Sequence, residues 1–302
     1  MKMMPMQTST TSMTTYETAS ASFETYLAAL RANLAEREPE LLAEFDIYAG
    51  EAQFGRQWLH AELQQLAPGS IILEVGAGMF LLACQLQREG FAVTALEPVG
   101  SGFAHFHRLQ QLVLEYAKQH QVIPEIFPYP AEELTQENRF VFAYSLNVME
   151  HVTDVQKVLE RVSAALRRGS RYRFVCPNYA FPFETHFRVP IIINKNITLM
   201  IFKNTILHTP NLVDPQAGWD SLNWITVTKI RCICKKLRIS ASFNPTILNF
   251  YVDRALKEPS FCARHPFIHR LICAMRMVGL LQMVRFITMQ WTPVIDCTIT
   301  KN

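Results

Sequence analysis

Residues 70–89, SIILEVGAGMFLLACQLQRE, constrain the fold of this chain more than any other stretch. A short apolar run at 70–75 has the length of a buried strand, and glycines follow at 76 and 78. Residues 79–89 then read as a helix that Gly90 is placed to end. A second strand pattern, FAVTAL at 91–96, closes on Glu97-Pro98, and helical spacing returns over 102–120. The alternation goes on through a third strand within 121–130, a fourth at 139–146, a helix over 154–168 and a fifth strand at 172–176. Strands alternating with helices of these lengths predict an α/β fold with a doubly wound, mostly parallel sheet.

The flanks read differently. Residues 1–21 are rich in Ser and Thr and are expected to form a disordered tail, with neither a secretory signal nor an Arg-rich transit peptide. Residues 22–69 are expected to form a helical cap. Phe23, Tyr26, Leu27, Leu30 and Leu34 share one face of a first helix, and a second covers 50–66 before Pro68-Gly69. The sheet domain is expected over 70–190. Beyond it, 191–302 reads as a mostly helical, basic and apolar extension: irregular at 191–207, a Ser-capped helix then a strand at 221–240, and a long arginine-studded helix at 265–291. Charge separates the two parts, because residues 1–179 hold 14 Lys/Arg against 20 Asp/Glu, and residues 180–302 hold 15 against 6. The basic part is therefore the one expected to meet an acidic partner or a membrane surface. The 7 cysteines show no CxxC or zinc-finger spacing, so reduced thiols and a cytoplasmic location are expected. No apolar run is long enough for a transmembrane helix.

In an open parallel sheet, ligands bind at the carboxyl ends of the strands, beside the first helix N-terminus. Gly76 and Gly78 let the backbone turn tightly there, and Glu97 ends the second strand where an acid can accept from ribose hydroxyls. A nicotinamide dinucleotide in a Rossmann-type oxidoreductase is one reading, but Leu81 stands where its third glycine belongs. Glu74 also fits a ligand ammonium better than a pyrophosphate.

The segments ILEVGAGMF and TALEP together resemble the first two motifs of the class I S-adenosylmethionine-dependent methyltransferases, a Rossmann-like superfamily. The resemblance spans about residues 55–190. It implies S-adenosyl-L-methionine as cofactor, with Glu74, Gly76, Ala77 and Gly78 at its methionine end and Glu97-Pro98 at its ribose. Phe80 replaces a third glycine and is expected to belong to the first helix. YSLNVMEHVTD (144–154) resembles the family segment that leaves the fourth strand over the cofactor, implying Leu146, Asn147 and His151 nearby and a helix starting at Glu150-His151. Ala131 and Glu132 keep the pattern that touches adenine, whereas Pro130 and Val141 replace family acids.

Methyl transfer from a sulfonium requires a positioned nucleophile and, for a hydroxyl, removal of its proton. PNYAFPFETHF, after the fifth strand, offers His186 as a base and Glu184 to orient it. Tyr179, Phe181, Phe183 and Phe187 would wall the substrate. A Glu-x-His pair is too thin for a metal site, so no metal is expected. The C-terminal basic, amphipathic stretches suggest either a substrate cover or peripheral contact with a membrane. No recognition motif points to nucleic acid. The reading is thus a methyltransferase acting on oxygen or nitrogen of a small or lipid-like acceptor. The alternatives are the NAD oxidoreductase and a non-catalytic partner-binding protein that has lost the cofactor site.

Overall fold

The computed structural model describes residues 10–98, 104–209, 214–258, 261–262, 266–282 and 287–301. Seven strands form one sheet in the order β3-β2-β1-β4-β5-β9-β8. They are β1 (Ile71–Val75), β2 (Ala92–Leu96), β3 (Glu125–Phe127), β4 (Phe140–Leu146), β5 (Leu166–Pro177), β8 (Ser240–Phe243) and β9 (Val294–Thr300). β4 runs parallel to β1 and to β5, whereas β9 is antiparallel to both β5 and β8. β6 (Phe183–Glu184) and β7 (Val189–Pro190) pair as a small separate hairpin. The doubly wound, mostly parallel sheet predicted from the alternation is present. Its antiparallel edge comes from the region expected to be mostly helical.

Two compact units are defined by their internal contacts. The first takes its described residues from 1–70, 77–94 and 100–125. It holds α1 (Thr10–Arg37), α2 (Leu42–Trp58), α3 (His60–Leu63), α4 (Leu81–Arg88) and α5 (Ala104–Gln119). The predicted stripe on α1 is buried: Phe23, Tyr26, Leu27, Leu30 and Leu34 are each at most 5% exposed. α1 begins at Thr10, which corrects the tail drawn through residue 21; no Gly or Pro interrupts residues 6–38. α2 begins at Leu42 rather than at 50, with Gly50 inside it. A mid-helix glycine costs only about 1 kcal/mol, and the buried Phe45, Ala49, Ala52, Phe54 and Trp58 outweigh that. Arg56 donates to both carboxylate oxygens of Glu89 (2.8 and 2.9 Å), and Arg88 lies 4.6 Å above the Tyr26 ring.

The second unit comprises 71–76, 95–99 and the described residues from 126 onward. Its core runs from Leu73, Val75 and Phe140 through Val158, Leu159 and Phe174 to Ile295 and Ile299. α6 (Val155–Ala165) stops short of the predicted 168, because Leu166 already pairs with Phe140 as β5. The register shifts between Phe140 and Phe142, and Gly169 takes φ +77, so the strand carries a bulge where a helix end was expected. α7 (Lys195–Leu207) orders part of the stretch read as irregular, with Asn194 capping it through Ile197 N–H (3.0 Å). α8 (Pro215–Ser221) precedes α9 (Val227–Leu237), which Thr226 caps, not Ser221. α10 (Ile247–Lys257) and α11 (Pro266–Met277) follow. The long helix expected to 291 ends at Met277, ahead of Gly279 at φ +72; Val284 and Arg285 lie outside the described residues. On α9 the apolar face, Val227, Ile230 and Cys234, is spent on the core, leaving Lys229, Arg231, Lys235 and Lys236 exposed. No helix among the described residues is long and apolar enough to cross a membrane.

β5 and β9 are fastened by a buried ion pair. Arg173 donates from Nε and Nη2 to the two Asp296 oxygens at 3.0 and 2.6 Å, with side chains 7% and 0% exposed. Replacing one partner breaks a buried charge pair, so Asp296→Asn should destabilise by about 3–5 kcal/mol. Urea unfolding measures this, and the double variant Arg173→Met, Asp296→Leu should recover most of the loss.

Candidate functional site

The chain leaves β1 at Gly76 (φ +72), whose N–H donates to the Leu96 carbonyl at the end of β2 (2.8 Å). A Cβ on Gly76 would stand 2.7 Å from Cγ1 of Val148 and closer still to Cγ2. Val148 belongs to the turn after β4, so the missing side chain at Gly76 is what lets the two turns meet. Gly78 also has a positive φ (+51), but nothing lies within 4 Å of a Cβ there. Phe80 takes φ 59 with its ring wholly buried. It immediately precedes α4, which corrects the expectation that it belongs to that helix. The left-handed conformation a third glycine would supply is thus adopted by a phenylalanine, held there by packing.

β1 and β4 are neighbours although not consecutive, which makes the space beyond their carboxyl ends the topological switch point of the sheet. Glu74 is buried in β1, and Glu97 and Pro98 follow β2 partly buried, with Glu97 N–H donating to Phe127 (3.0 Å). Leu146 ends β4, and the exposed Asn147 turns the chain at φ 52 while its N–H donates to Val175 (2.8 Å). Ala131 is buried in a short turn of 3₁₀ helix. Glu132 follows Ala131 in the same 3₁₀ turn. Its Oε1 accepts from the N–H groups of Thr153 (2.8 Å) and Asp154 (3.2 Å), so it braces the entrance to α6.

The turn 147–151 also brings Glu150 and His151 up to His186. Glu150 and His151 precede the helix rather than starting it, since Asp154 is the N-cap of α6. His186 Nδ1 lies 2.6 Å from Glu184 Oε1, and Glu184 Oε2 accepts from Phe187 N–H at 2.6 Å. Tyr179 Oη adds a longer hydrogen bond to Glu184 Oε1 (3.3 Å). The His151 and His186 rings meet edge to face, 5.3 Å between centroids, and His151 Nε2 stands 3.9 Å from Glu150 Oε1. Glu150 is wholly buried, and neither of its oxygens has a hydrogen-bond partner in another residue. Asn223 clamps the turn, donating from Nδ2 to the carbonyls of Met149 (2.7 Å) and Val152 (2.8 Å) and from N–H to that of Glu150 (2.8 Å).

The predicted aromatic wall divides. Tyr179 is buried and stacked on Trp224 (5.2 Å), and Phe187 is buried edge-on to Trp219 (5.3 Å). Phe181 is partly buried, and Phe183 alone of the four named wall residues is exposed, at 38%. His151, assigned by resemblance to the cofactor, sits in the His186 cluster. Sequence reasoning passed over Glu150, Asn223 and the Trp219–Trp224 pair. Only two tryptophans five apart in a short polar stretch hinted at the last of these.

Electrostatics sort the cluster into two pairs. Burial alone would lower His186, but the hydrogen bond and charge of Glu184 outweigh it and hold the imidazole above its ordinary value. Burial would raise Glu184, yet the hydrogen bond and charge of His186, with the Phe187 N–H, hold it below the usual carboxylate range. Burial pushes Glu150 up to about 7, and burial with the nearby His186 charge takes His151 down to about 4. One donor atom from each of Glu150, His151 and His186 lies within 4.8 Å of the others, a set able to hold a metal ion. None of the seven cysteines is in a disulfide; Cys84, Cys176, Cys234 and Cys297 are buried, whereas Cys232 is exposed.

No family model matches the chain. Two Mycobacterium tuberculosis proteins, uncharacterized protein MT1557 of strain CDC 1551 / Oshkosh and uncharacterized protein Rv1509 of strain ATCC 25618 / H37Rv, are each 38% identical over 286 residues. The alignment covers 93% of this chain and 96% of each relative. The chain belongs to their family. Its sheet, by strand order and by strand direction, is a mostly parallel, Rossmann-like α/β sheet. Solved structures of similar shape include the Haemonchus contortus phosphoethanolamine N-methyltransferase 2 (14% identity, TM-score 0.48, covering 78% of this chain and 48% of that one). Another is geranyl diphosphate C-methyltransferase of Streptomyces coelicolor A3(2) (12%, TM-score 0.48, 89% and 86%). These likenesses are loose, and neither substrate transfers with them.

Two outcomes follow from this geometry. Gly76→Ala meets both strain and the Val148 methyls, whereas Gly78→Ala meets strain alone, about 1–2 kcal/mol. Thermal unfolding should place Gly76→Ala clearly below Gly78→Ala. For Glu150, a folded-state pKa above the unfolded one penalises the charged form. The cost is absent below about pH 4.5 and grows to a plateau of about 3 kcal/mol above pH 7. In EDTA, Glu150→Gln should therefore gain stability over the parent as pH rises through that window, by denaturant titration at each pH.

Proposed function

We propose that this protein transfers a methyl group from S-adenosylmethionine to an oxygen or nitrogen of a small or lipid-like acceptor. The observation that carries the reading is the turn 147–151. It closes on the Gly76 turn at the switch point of the sheet and, four residues on from Asn147, presents His151 against His186. A ligand site and a proton-handling cluster thus share one short loop.

The residues at the strand ends fit that cofactor. Glu74 is suited to its ammonium group and Glu97 to its ribose hydroxyls, with Asn147 and the Gly76 turn in the same unit. A buried carboxylate at Glu74 and a phenylalanine at Phe80 both disfavour the pyrophosphate of a nicotinamide dinucleotide. When bound, S-adenosylmethionine supplies an already activated methyl group. The chain's own residues then have to orient the acceptor and hold its proton. His186, with Nδ1 committed to Glu184, offers Nε2 as the base, and the exposed Phe183 offers a surface for the acceptor's apolar part. Exposed Met277, Val278 and Trp291 in the same unit favour a lipid-like acceptor or peripheral membrane contact over a strictly polar one.

Calorimetry should find S-adenosylmethionine binding and no NADH binding; the reverse result overturns the reading. Glu97→Ala should weaken the cofactor about 10–100-fold through loss of charge-assisted hydrogen bonds. His186→Ala should cut release of S-adenosylhomocysteine about 10²–10⁴-fold across a panel of small hydroxyl and amine acceptors while leaving cofactor affinity unchanged. Retained turnover would make His186 a structural residue. The rate should also fall as pH drops below the raised pKa of His186, because only the neutral imidazole accepts a proton.

A further inference from the structure

We infer that Glu150, His151 and His186 form a binding site for one divalent first-row transition-metal ion of the zinc or iron type. Glu150 is the first reason. Its carboxylate is wholly buried, and no other residue donates to either oxygen. Such a group needs a cation or a proton to be accommodated. The nearest atoms able to share a cation with it are the imidazole nitrogens of His151 and His186, all within 4.8 Å. Donors on one ion at bond lengths of about 2.0–2.2 Å stand roughly 3–3.5 Å apart, so small side-chain rotations close the set.

The hydrogen bonds around the histidines fix which nitrogen is available. Ser221 Oγ donates to the Gly218 carbonyl (2.8 Å), so it must accept from His151 Nδ1–H (3.2 Å), and the His151 lone pair is on Nε2. His186 Nδ1 donates to Glu184 (2.6 Å), which leaves Nε2 on that ring too. Histidine ligands whose other nitrogen donates to a carboxylate or hydroxyl are the ordinary arrangement at metal centres. Asn223 clamps the 149–152 turn, so Glu150 and His151 are held in place before any ion arrives. The His151 and His186 side chains keep 41% and 33% of their surface exposed, leaving the ion open to an exogenous ligand. Two imidazoles with one carboxylate favour transition ions over Mg²⁺ or Ca²⁺, which prefer all-oxygen surroundings.

This inference goes beyond methyl transfer and does not depend on it. Ion binding and proton abstraction both use His186 Nε2 and exclude one another, so the site is read out by binding alone. The untagged full chain, stripped with EDTA and dialysed, is titrated with Zn²⁺ against a chromophoric chelator and with Co²⁺ by its visible absorption. One equivalent should bind, unaffected by millimolar Mg²⁺. Glu150→Gln and His186→Ala should each weaken Zn²⁺ at least about 100-fold, and Glu184→Gln about 10–100-fold. His151→Ala alters an exposed side chain, so circular dichroism should show it folded while Zn²⁺ affinity still falls. Cys262→Ser tests a separate pair of zinc-binding residue types, Cys262 with His269 (3.4 Å), and should change nothing. Absence of saturable Zn²⁺ binding, binding untouched in the Glu150, His151 and His186 variants, or loss in Cys262→Ser overturns the inference.

Discussion

Everything around the candidate site depends on where two buried carboxylates find their partners. Glu184 has no exposed side-chain surface, and its oxygens accept from His186 Nδ1, Phe187 N–H and Tyr179 Oη. Each donor comes from the same short segment, so one charge folds 179–187 into a rigid hook and aims the imidazole. Glu150 is equally buried and receives nothing comparable. A chain does not bury a second acid beside the first without a counter-charge, a proton or an ion to compensate. The contrast between a satisfied acid and an unsatisfied one, facing the same pair of histidines, gives the cluster its chemical character.

Steric fit links that cluster to the opening strand. At Gly76 a methyl group has nowhere to go, because Val148 occupies its place. The same glycine is commonly explained by ligand approach, but here protein contact alone already demands it. Phe80 makes the complementary point. A glycine there would be relaxed; the phenylalanine accepts a left-handed backbone in exchange for a ring that is completely buried. Burying such a side chain is worth about 1.5–3 kcal/mol, against about 1–2 kcal/mol of strain. The exchange is near balance, which is why the departure from the glycine pattern leaves the turn intact.

The parallel half of the sheet was legible because β1, β2 and β4 are each bounded by a turn residue and followed by a helix of matching period. Glu97-Pro98 and Gly90 mark their boundaries without reference to the rest of the chain. Where tertiary contacts decide, local pattern misled. Leu166–Arg168 continue a helical pattern, yet pairing with β4 takes them into β5. Gly50 reads as a helix start, yet the buried face of α2 runs through it. Glu150 was visible only as a helix residue, since nothing in a sequence reveals that an acid lacks a partner. The hook at Glu184 and His186 was nearer to legibility: a carboxylate two residues from a histidine, between prolines, can reach the imidazole locally.

The end of the chain was the least legible part, and it proves to support the site. β9 inserts antiparallel beside β5, and Arg173 with Asp296 locks the two strands from within. Just past β5, Asn178 Nδ2 donates to the carbonyls of Met289 (3.3 Å), Gln290 (3.2 Å) and Thr292 (2.9 Å). Asn178 N–H reaches the Pro293 carbonyl as well (2.9 Å). Residues 289–296 thereby hold the root of the segment whose far end carries Glu184 and His186. Read as sequence, this region was an apolar and basic extension expected to cover a substrate or to meet a membrane. In the fold its strand positions the proposed base. The basic side chains of α9 are left on the surface because its apolar face is already used. An electrostatic contact with an acidic surface would therefore have to be made by exposed lysines and arginines on a fixed scaffold, not by a helix free to insert.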